Sequence, residues 1–417
     1  MVIETQEQYQ KLLNSIQNKD VAITFVRNDF RSHPSEGKII VASLCFDSEN
    51  HDIIFDHSES DSKLDISLLG CVRRFWVDDI KQFFILTGFT NVYDVKLISW
   101  VNELEYDDQP IDMVFESIYK RVKIDCNKII PIVKVIELSR NKLIQLGEMS
   151  DKIKITKSAL KYNKAAIELA KIEKTGLSTL GDHWYSNYNM TTSTGRPSNT
   201  FGGINLAALN KNDGTRKQII SRFESGMLIE LDYDAYHLRL LANILNIEFP
   251  LNKSLHQHFA DEVYKCSYEE SKTKSFQILY GNIPVNDNPF FVGVSKLAIV
   301  LEDYFNTHKC FKSHIYKKPF NMEKVVDVNR NKLLNYYVQS YETERNYEVI
   351  KKLQNYLIDK DTSMILYTYD SFLFDFNIKD GIEIMKGIKN IVEEGGFPVR
   401  VKSGSNYDTM KDITERL

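Results

Sequence analysis

Three observations predict an α+β multidomain protein. The chain has 417 residues, 43% of them hydrophobic, which is more than one ordinary core holds and points to two or three domains. Short strand-like runs mix with helical ones over roughly the first 115 residues, as in a small α/β domain, before a helical zone takes over. Further on, two apolar strand-like runs each end at a lone carboxylate, Asp232 and Asp370. Carboxylates so placed, far apart in sequence, could share divalent metals.

Composition narrows the class. No run approaches the roughly 18 apolar residues of a spanning helix, and Met1-Val2-Ile3-Glu4 lacks the features of an export signal. Cys45, Cys71, Cys126, Cys266 and Cys310 form no CxxC pair, which argues against a zinc knuckle or disulfide framework and for a reducing compartment. A cytoplasmic protein without a membrane partner is therefore expected. The net charge of −4 does not itself suggest nucleic acid, but charge is uneven. Lys134 to Lys174 holds ten Lys/Arg against five Asp/Glu, and Lys309 to Lys332 seven against two. Such segments can neutralise phosphates, or be solvated helix faces.

In chain order, Val21 to Val26, Lys38 to Phe46 and Asp52 to Phe55 read as strands. Ile132 to Leu146 and Ile155 to Glu173 carry apolar residues at three- and four-residue spacing, hence amphipathic helices with basic outer faces. Thr191 to Thr200 is a turn-rich loop. Met227 to Leu231 forms a strand leading into Asp232, followed by a helix from Tyr236 to about Asn246. A helix ending at Gly281 places Tyr268, Lys272, Phe276 and Tyr280 on one face, rising about 6 Å per step. A cation followed by rings at those intervals could meet the phosphates, sugar and base of a nucleotide, or line a core with a snorkelling lysine. A long helix near Asn329 to Asp359 precedes the Asp370 hairpin and a final α/β segment. Alone, Asp232 also reads as a helix N-cap and Asp370 as a turn aspartate.

The order of these segments resembles the family A DNA polymerases, relatives of bacterial DNA polymerase I, over roughly residues 185 to 410. Thr192 to Ser198 is similar to that family's Thr-x-Thr-Gly-Arg-x-Ser loop, Asp232 to Arg239 to motif A, Lys272 to Gly281 to motif B, and Tyr369-Asp370 to motif C. Pro398 to Gly404 resembles the closing palm strand. The resemblance implies a right-hand polymerase fold of palm, fingers and thumb. A ribonuclease H-like α/β exonuclease-type domain would precede it. It places that domain at 1–118, a thumb at 119–184, and palm and fingers at 185–417, with the fingers at about 247–330.

By the same resemblance, the chain extends a primer on template DNA with dNTPs, using two Mg2+ ions, with Mn2+ as an alternative. Asp232, Asp370 and the Tyr233 carbonyl would be metal ligands, and Asp232, Asp370 and Lys272 catalytic. Lys272, Phe276, Tyr280, His237 and Tyr268 would face the nucleotide. Arg196, Arg239, Asn335, Gln339 and Tyr369 would face DNA.

The family pattern breaks in places. His237 stands where a glutamate normally excludes ribose, Tyr268 where an arginine grips phosphate, and Ser371 where motif C carries a further acid. Lys274 or His256 would have to compensate for the arginine. His237 either fills the gate or packs against Tyr280 as a core residue, so a single-subunit RNA polymerase, or a sugar-tolerant one, stands as an alternative. A catalytically idle DNA-binding homologue is another. In the first domain, an alignment supported by strand texture and Asp112 puts Thr24, Val26 and Ile98 where the exonuclease needs acids, which implies an exonuclease relic without proofreading; an unrelated α/β domain is the alternative. The resemblance also suggests a monomer of phage or virus type, working in a bacterial host cytoplasm if phage-encoded. A processivity factor, helicase or primase would assist it.

Overall fold

The computed structural model describes residues 1–105, 130–281, 287–323 and 325–417, with the backbone alone of Tyr280. Asp112 and the expected boundary after residue 118 lie outside the described residues. The chain forms two compact units, Met1–Lys174 and Thr175–Leu417. Among the described residues no helix is long and apolar enough to cross a membrane.

The first unit is built on a six-stranded sheet. Its strands run in the order Val2–Ile3, Glu49–Ile54, Ile39–Phe46, Asp20–Arg27, Arg74–Val77, Val92–Asp94. Asp20–Arg27, Ile39–Phe46 and Glu49–Ile54 form an antiparallel meander. Phe46 pairs with Glu49, leaving Asp47 and Ser48 as a two-residue loop with φ of 49° and 66°. Two positive φ angles in succession give the twist that lets so short a loop join adjacent strands. Arg74–Val77 and Val92–Asp94 lie parallel to the first meander strand, with helix Ile80–Thr87 crossing between them.

Helix Ile132–Ser150 closes this core. Its buried residues Val135, Ser139, Leu143, Leu146 and Met149 fall at three- and four-residue spacing and make one stripe. Thr24 is fully buried beneath it, its hydroxyl donating to the Ser139 carbonyl at 2.6 Å. Val26 clusters with Ile40, Val41, Ile54 and Val135. Arg140 donates to the buried carboxylate of Asp52 at 2.8 Å, and Asp52 also accepts from Ser43. The resemblance assigns this helix to a thumb at 119–184; its apolar stripe packs on the first sheet, and Arg140 is engaged internally. Helix Lys157–Thr175 likewise buries Glu173, which pairs with Lys81 at 2.5 Å.

The second unit centres on a five-stranded antiparallel sheet ordered Ser363–Thr368, Ser371–Phe376, Met227–Tyr233, Val399–Gly404, Lys411–Asp412. Helices Tyr236–Leu245 and Ile382–Glu393 pack with the 27-residue helix Arg330–Tyr356. Between residues 247 and 330 lie helices Leu255–Phe259, Tyr268–Tyr280 and Pro289–His308, then the hairpin Cys310–Lys312 with Pro319–Asn321.

The Thr24 site yields a stability prediction. Thr24→Asp would bury a carboxylate against Ser139 with no cation assigned to it, and should destabilise the first unit by about 3 kcal/mol or more. Urea denaturation followed by circular dichroism checks this; an unchanged midpoint would contradict the packing described.

Candidate active site

The strand Met227–Tyr233 is central because alternation puts Ile229 and Leu231 on a buried face while Glu230 and Asp232 share the other. Its ladder sets Asp232 opposite Ser371 on one side and Arg400 on the other. Asp370 occupies the two-residue turn after Thr368, and its carbonyl accepts from the Tyr233 N–H at 3.0 Å. The turn places Asp370 beside the end of the strand that carries Asp232.

Both carboxylates face one cleft of about 310 Å³. Arg196, His237, His256, Tyr268, Lys272, Phe276, Glu342 and Arg400 also line it. Burial, then the charge of Asp370, push Asp232 up to about 7, against the pull of Lys402 and Arg400. Desolvation and then Glu342 raise Asp370 as well.

The facing wall comes from helix Tyr268–Tyr280. Ser267 and Glu270 form a reciprocal cap that sets where it begins. Ser271 ties it to the His256 carbonyl at 2.7 Å. Tyr268, Lys272 and Phe276 therefore line the cleft together, with Phe276 43% exposed. The side chain of Tyr280 falls outside the described residues. Of the two compensating candidates, His256 lines the cleft, with a buried Nδ1 that has no hydrogen-bond partner among the described residues. Burial lowers its pKa. Lys274 is absent from the lining and lies 5.6 Å from the Tyr264 ring centroid.

Other expected contacts fall differently. Arg239 is only 5% exposed. Its guanidinium bonds Asp234 at 3.0 Å and the carbonyls of Pro250 and Lys253, so it braces the turn after Asp232 instead of facing DNA. Asn335 and Gln339 bond each other at 2.9 Å along their helix and do not line this cleft. Arg196 does enter it, from a loop whose Gly195 has φ 72°. Its guanidinium stacks 3.7 Å from the Tyr369 ring centroid.

Glu342 escaped sequence reasoning. Only 1% exposed, it lies 2.9 Å from Arg196 and 3.4 Å from His237. Burial would raise its pKa, but His237 and Arg196 outweigh that and hold it below the ordinary glutamate value. A helix polar on every side reads as solvated; the available signal was the charged run Glu342-Thr343-Glu344-Arg345 inside so long a helix.

The donor set suits a hard cation. Among the described residues no cluster of three or more His, Cys, Asp or Glu side chains could hold a metal. Asp232, Asp370 and the Tyr233 carbonyl are nonetheless oxygen donors. Magnesium is commonly held by one or two carboxylates, with water and substrate phosphate completing its shell. Asp370, itself exposed, raises the cost of ionising the half-buried Asp232, which also favours a cation between them.

No protein-family model and no curated protein sequence matches the chain. Among solved structures, the chain is similar to the POL domain of Pol1 from M. smegmatis, in complex with DNA primer-template and dNTP. The TM-score is 0.74 at 12% sequence identity, over 98% of this chain and 100% of that one. The fold is thus that of a DNA polymerase I polymerase domain, a mixed α/β architecture, and at this identity the likeness speaks to the fold alone.

Proposed function

We propose that the chain is a template-directed DNA polymerase of the family A type. It would extend a primer with dNTPs, using magnesium, without proofreading. The observation that carries this reading is the convergence of Asp232, near the end of the central strand, and Asp370, in the turn beside that end, on one cleft with Lys272, in a fold like a polymerase domain. The labels thumb for 119–184, fingers for about 247–330 and palm for the rest of 185–417 belong to the same proposal.

Asp232, Asp370 and the Tyr233 carbonyl would hold magnesium, which when bound supplies charge to stabilise the attacking and leaving oxygens of phosphoryl transfer. Lys272 would steady the triphosphate and give a proton to departing pyrophosphate. His256 and Tyr268 stand near it, where the sequence lacks the usual arginine. Phe276, one turn on, would pack against the sugar, and Tyr280 would stack at the insertion site. Asn335, Gln339 and Tyr369 would contact the primer-template. The absence of proofreading is supported by Thr24 and Val26, whose positions are packed beneath a helix.

His237 favours a second reading, a polymerase tolerant of ribose, because the acid expected there is missing. Magnesium-dependent extension of a labelled primer, with dNTPs and NTPs in parallel, tests both. Extension with dNTPs alone supports the first; equal use of NTPs supports the second. Duplex binding without extension would show an idle homologue.

Asp232→Ala or Asp370→Ala should each lower extension about a thousandfold or more. Primer-template binding should stay nearly intact; near-normal extension by either variant would refute the two-carboxylate assignment. Lys272→Ala should cost about a hundredfold in turnover, measured by single-turnover incorporation.

Asp232 also predicts a pH dependence. Its folded pKa lies above the unfolded value, so the folded state holds a proton that the unfolded chain releases. The stability this contributes is present at acid pH and lost as pH rises through about 7. In metal-free buffer, the melting-temperature advantage of Asp232→Asn over wild type should therefore grow from pH 4 towards 7 and then level off. A constant difference across that range would contradict the burial described.

A further inference from the structure

Arg196 creates a difficulty for the site it lines. Its guanidinium lies over the ring of Tyr369, the residue immediately before Asp370, and both Arg196 and Asp370 face the same cleft. A largely desolvated cation beside a carboxylate pairs with it unless a better-placed acid intervenes. An Arg196–Asp370 pair would neutralise the carboxylate that a cation needs.

Glu342 is that better-placed acid. It projects from the middle of helix Arg330–Tyr356, with Oε2 2.9 Å from Arg196 Nε and Oε1 3.4 Å from Arg196 Nη2. Oε1 also lies 3.4 Å from His237 Nε2, which approaches from the first turn of helix Tyr236–Leu245. Two elements distant in sequence thus converge on one carboxylate. The polymerase reading assigns Glu342 no task.

We infer that Glu342 is a positioning residue whose carboxylate detains Arg196, keeping Asp370 available to a divalent cation. The inference rests on the proposed function only in taking Asp370 as a cation ligand. It also gives Arg196 a different part from the DNA contact expected of it. Arg196 packs on Tyr369 and steadies the turn, while Glu342 keeps it from entering the metal position.

Mn2+ alone, titrated into the whole chain without DNA or nucleotide and followed by electron paramagnetic resonance, tests this. Wild type should bind Mn2+, and Glu342→Gln should bind it at least about tenfold more weakly as Arg196 turns to Asp370. Adding Arg196→Met to Glu342→Gln removes the competitor and should restore affinity to within about threefold of wild type. A purely structural role for Glu342 would make the double variant no better than the single. Wild-type affinity in Glu342→Gln, or no recovery in the double variant, overturns the inference while leaving the polymerase reading in place. A wild-type chain that binds no Mn2+ instead overturns the cation reading of Asp370, and this inference with it. Should melting curves show Glu342→Gln unfolded, Arg196→Met alone decides: affinity equal to or above wild type supports the inference, and a tenfold loss overturns it.

Discussion

The second unit depends on one stretch of helix whose polar side chains are all buried. Ser340, Tyr341, Glu342, Thr343, Glu344, Arg345 and Asn346 are each at most 8% exposed. Burying charge costs several kcal/mol per ion unless it is paired and hydrogen-bonded, so this segment is tolerable only with its partners in place. Glu344 accepts the N–H groups of Ile315 and Tyr316 at 2.8 and 2.9 Å. Arg345 donates to the hydroxyls of Tyr233 and Tyr236 and to the carbonyls of Val392 and Glu394. Asn346 accepts from Tyr236 and donates to the Tyr369 carbonyl. Together with Glu342, these bonds tie the helix to the end of the strand that carries Asp232, the turn that carries Asp370, the Arg196 loop and the hairpin after Cys310.

That network explains how the site holds strained backbone. Ala235 and Tyr369, with φ of 47° and 57°, occupy the left-handed region beside Asp232 and Asp370 respectively. Each costs about 1–2 kcal/mol for a residue that is not glycine. The cost is offset locally. Asp234, next to Ala235, accepts from Ser254 and the Leu255 N–H and pairs with Arg239, while Tyr369 is held through its carbonyl by Asn346 and through its ring by Arg196. Strain of this kind survives where surrounding bonds over-determine the conformation, which is common at functional sites.

The same contrast explains what was legible in the sequence. Asp232 and Asp370 were visible because strand alternation and turn position are local patterns, and Lys272 with Phe276 because four-residue spacing puts them on one helix face. Ser267 and Glu270 mark that helix start equally locally. Glu342 was harder to see: the charged run around it is a signal, but its meaning comes from Arg196 and His237, supplied from distant segments. Arg239 was misjudged for the same reason, since a basic residue beside motif-like sequence gives no hint that Asp234 and two carbonyls will enclose it. Arg140 shows that counting lysines and arginines overstates the charge left for phosphates when a buried acid such as Asp52 claims one.

Charge in the cleft links these observations to the proposed chemistry. Three cations in its lining, Arg196, Lys272 and Arg400, face three carboxylates, Asp232, Glu342 and Asp370, while a fourth, Asp234, is matched by Arg239. The lining is therefore close to neutral, and Arg196 is already committed to Glu342. A nucleoside triphosphate carries several negative charges, and Lys272 and Arg400 alone cannot balance them beside two aspartates. Simply deleting the aspartates would relieve the repulsion but remove the oxygen donors that bring divalent charge to the reacting phosphate. The arrangement makes sense if protein cations offset the aspartates only in part, so that the remaining counter-charge arrives with the substrate.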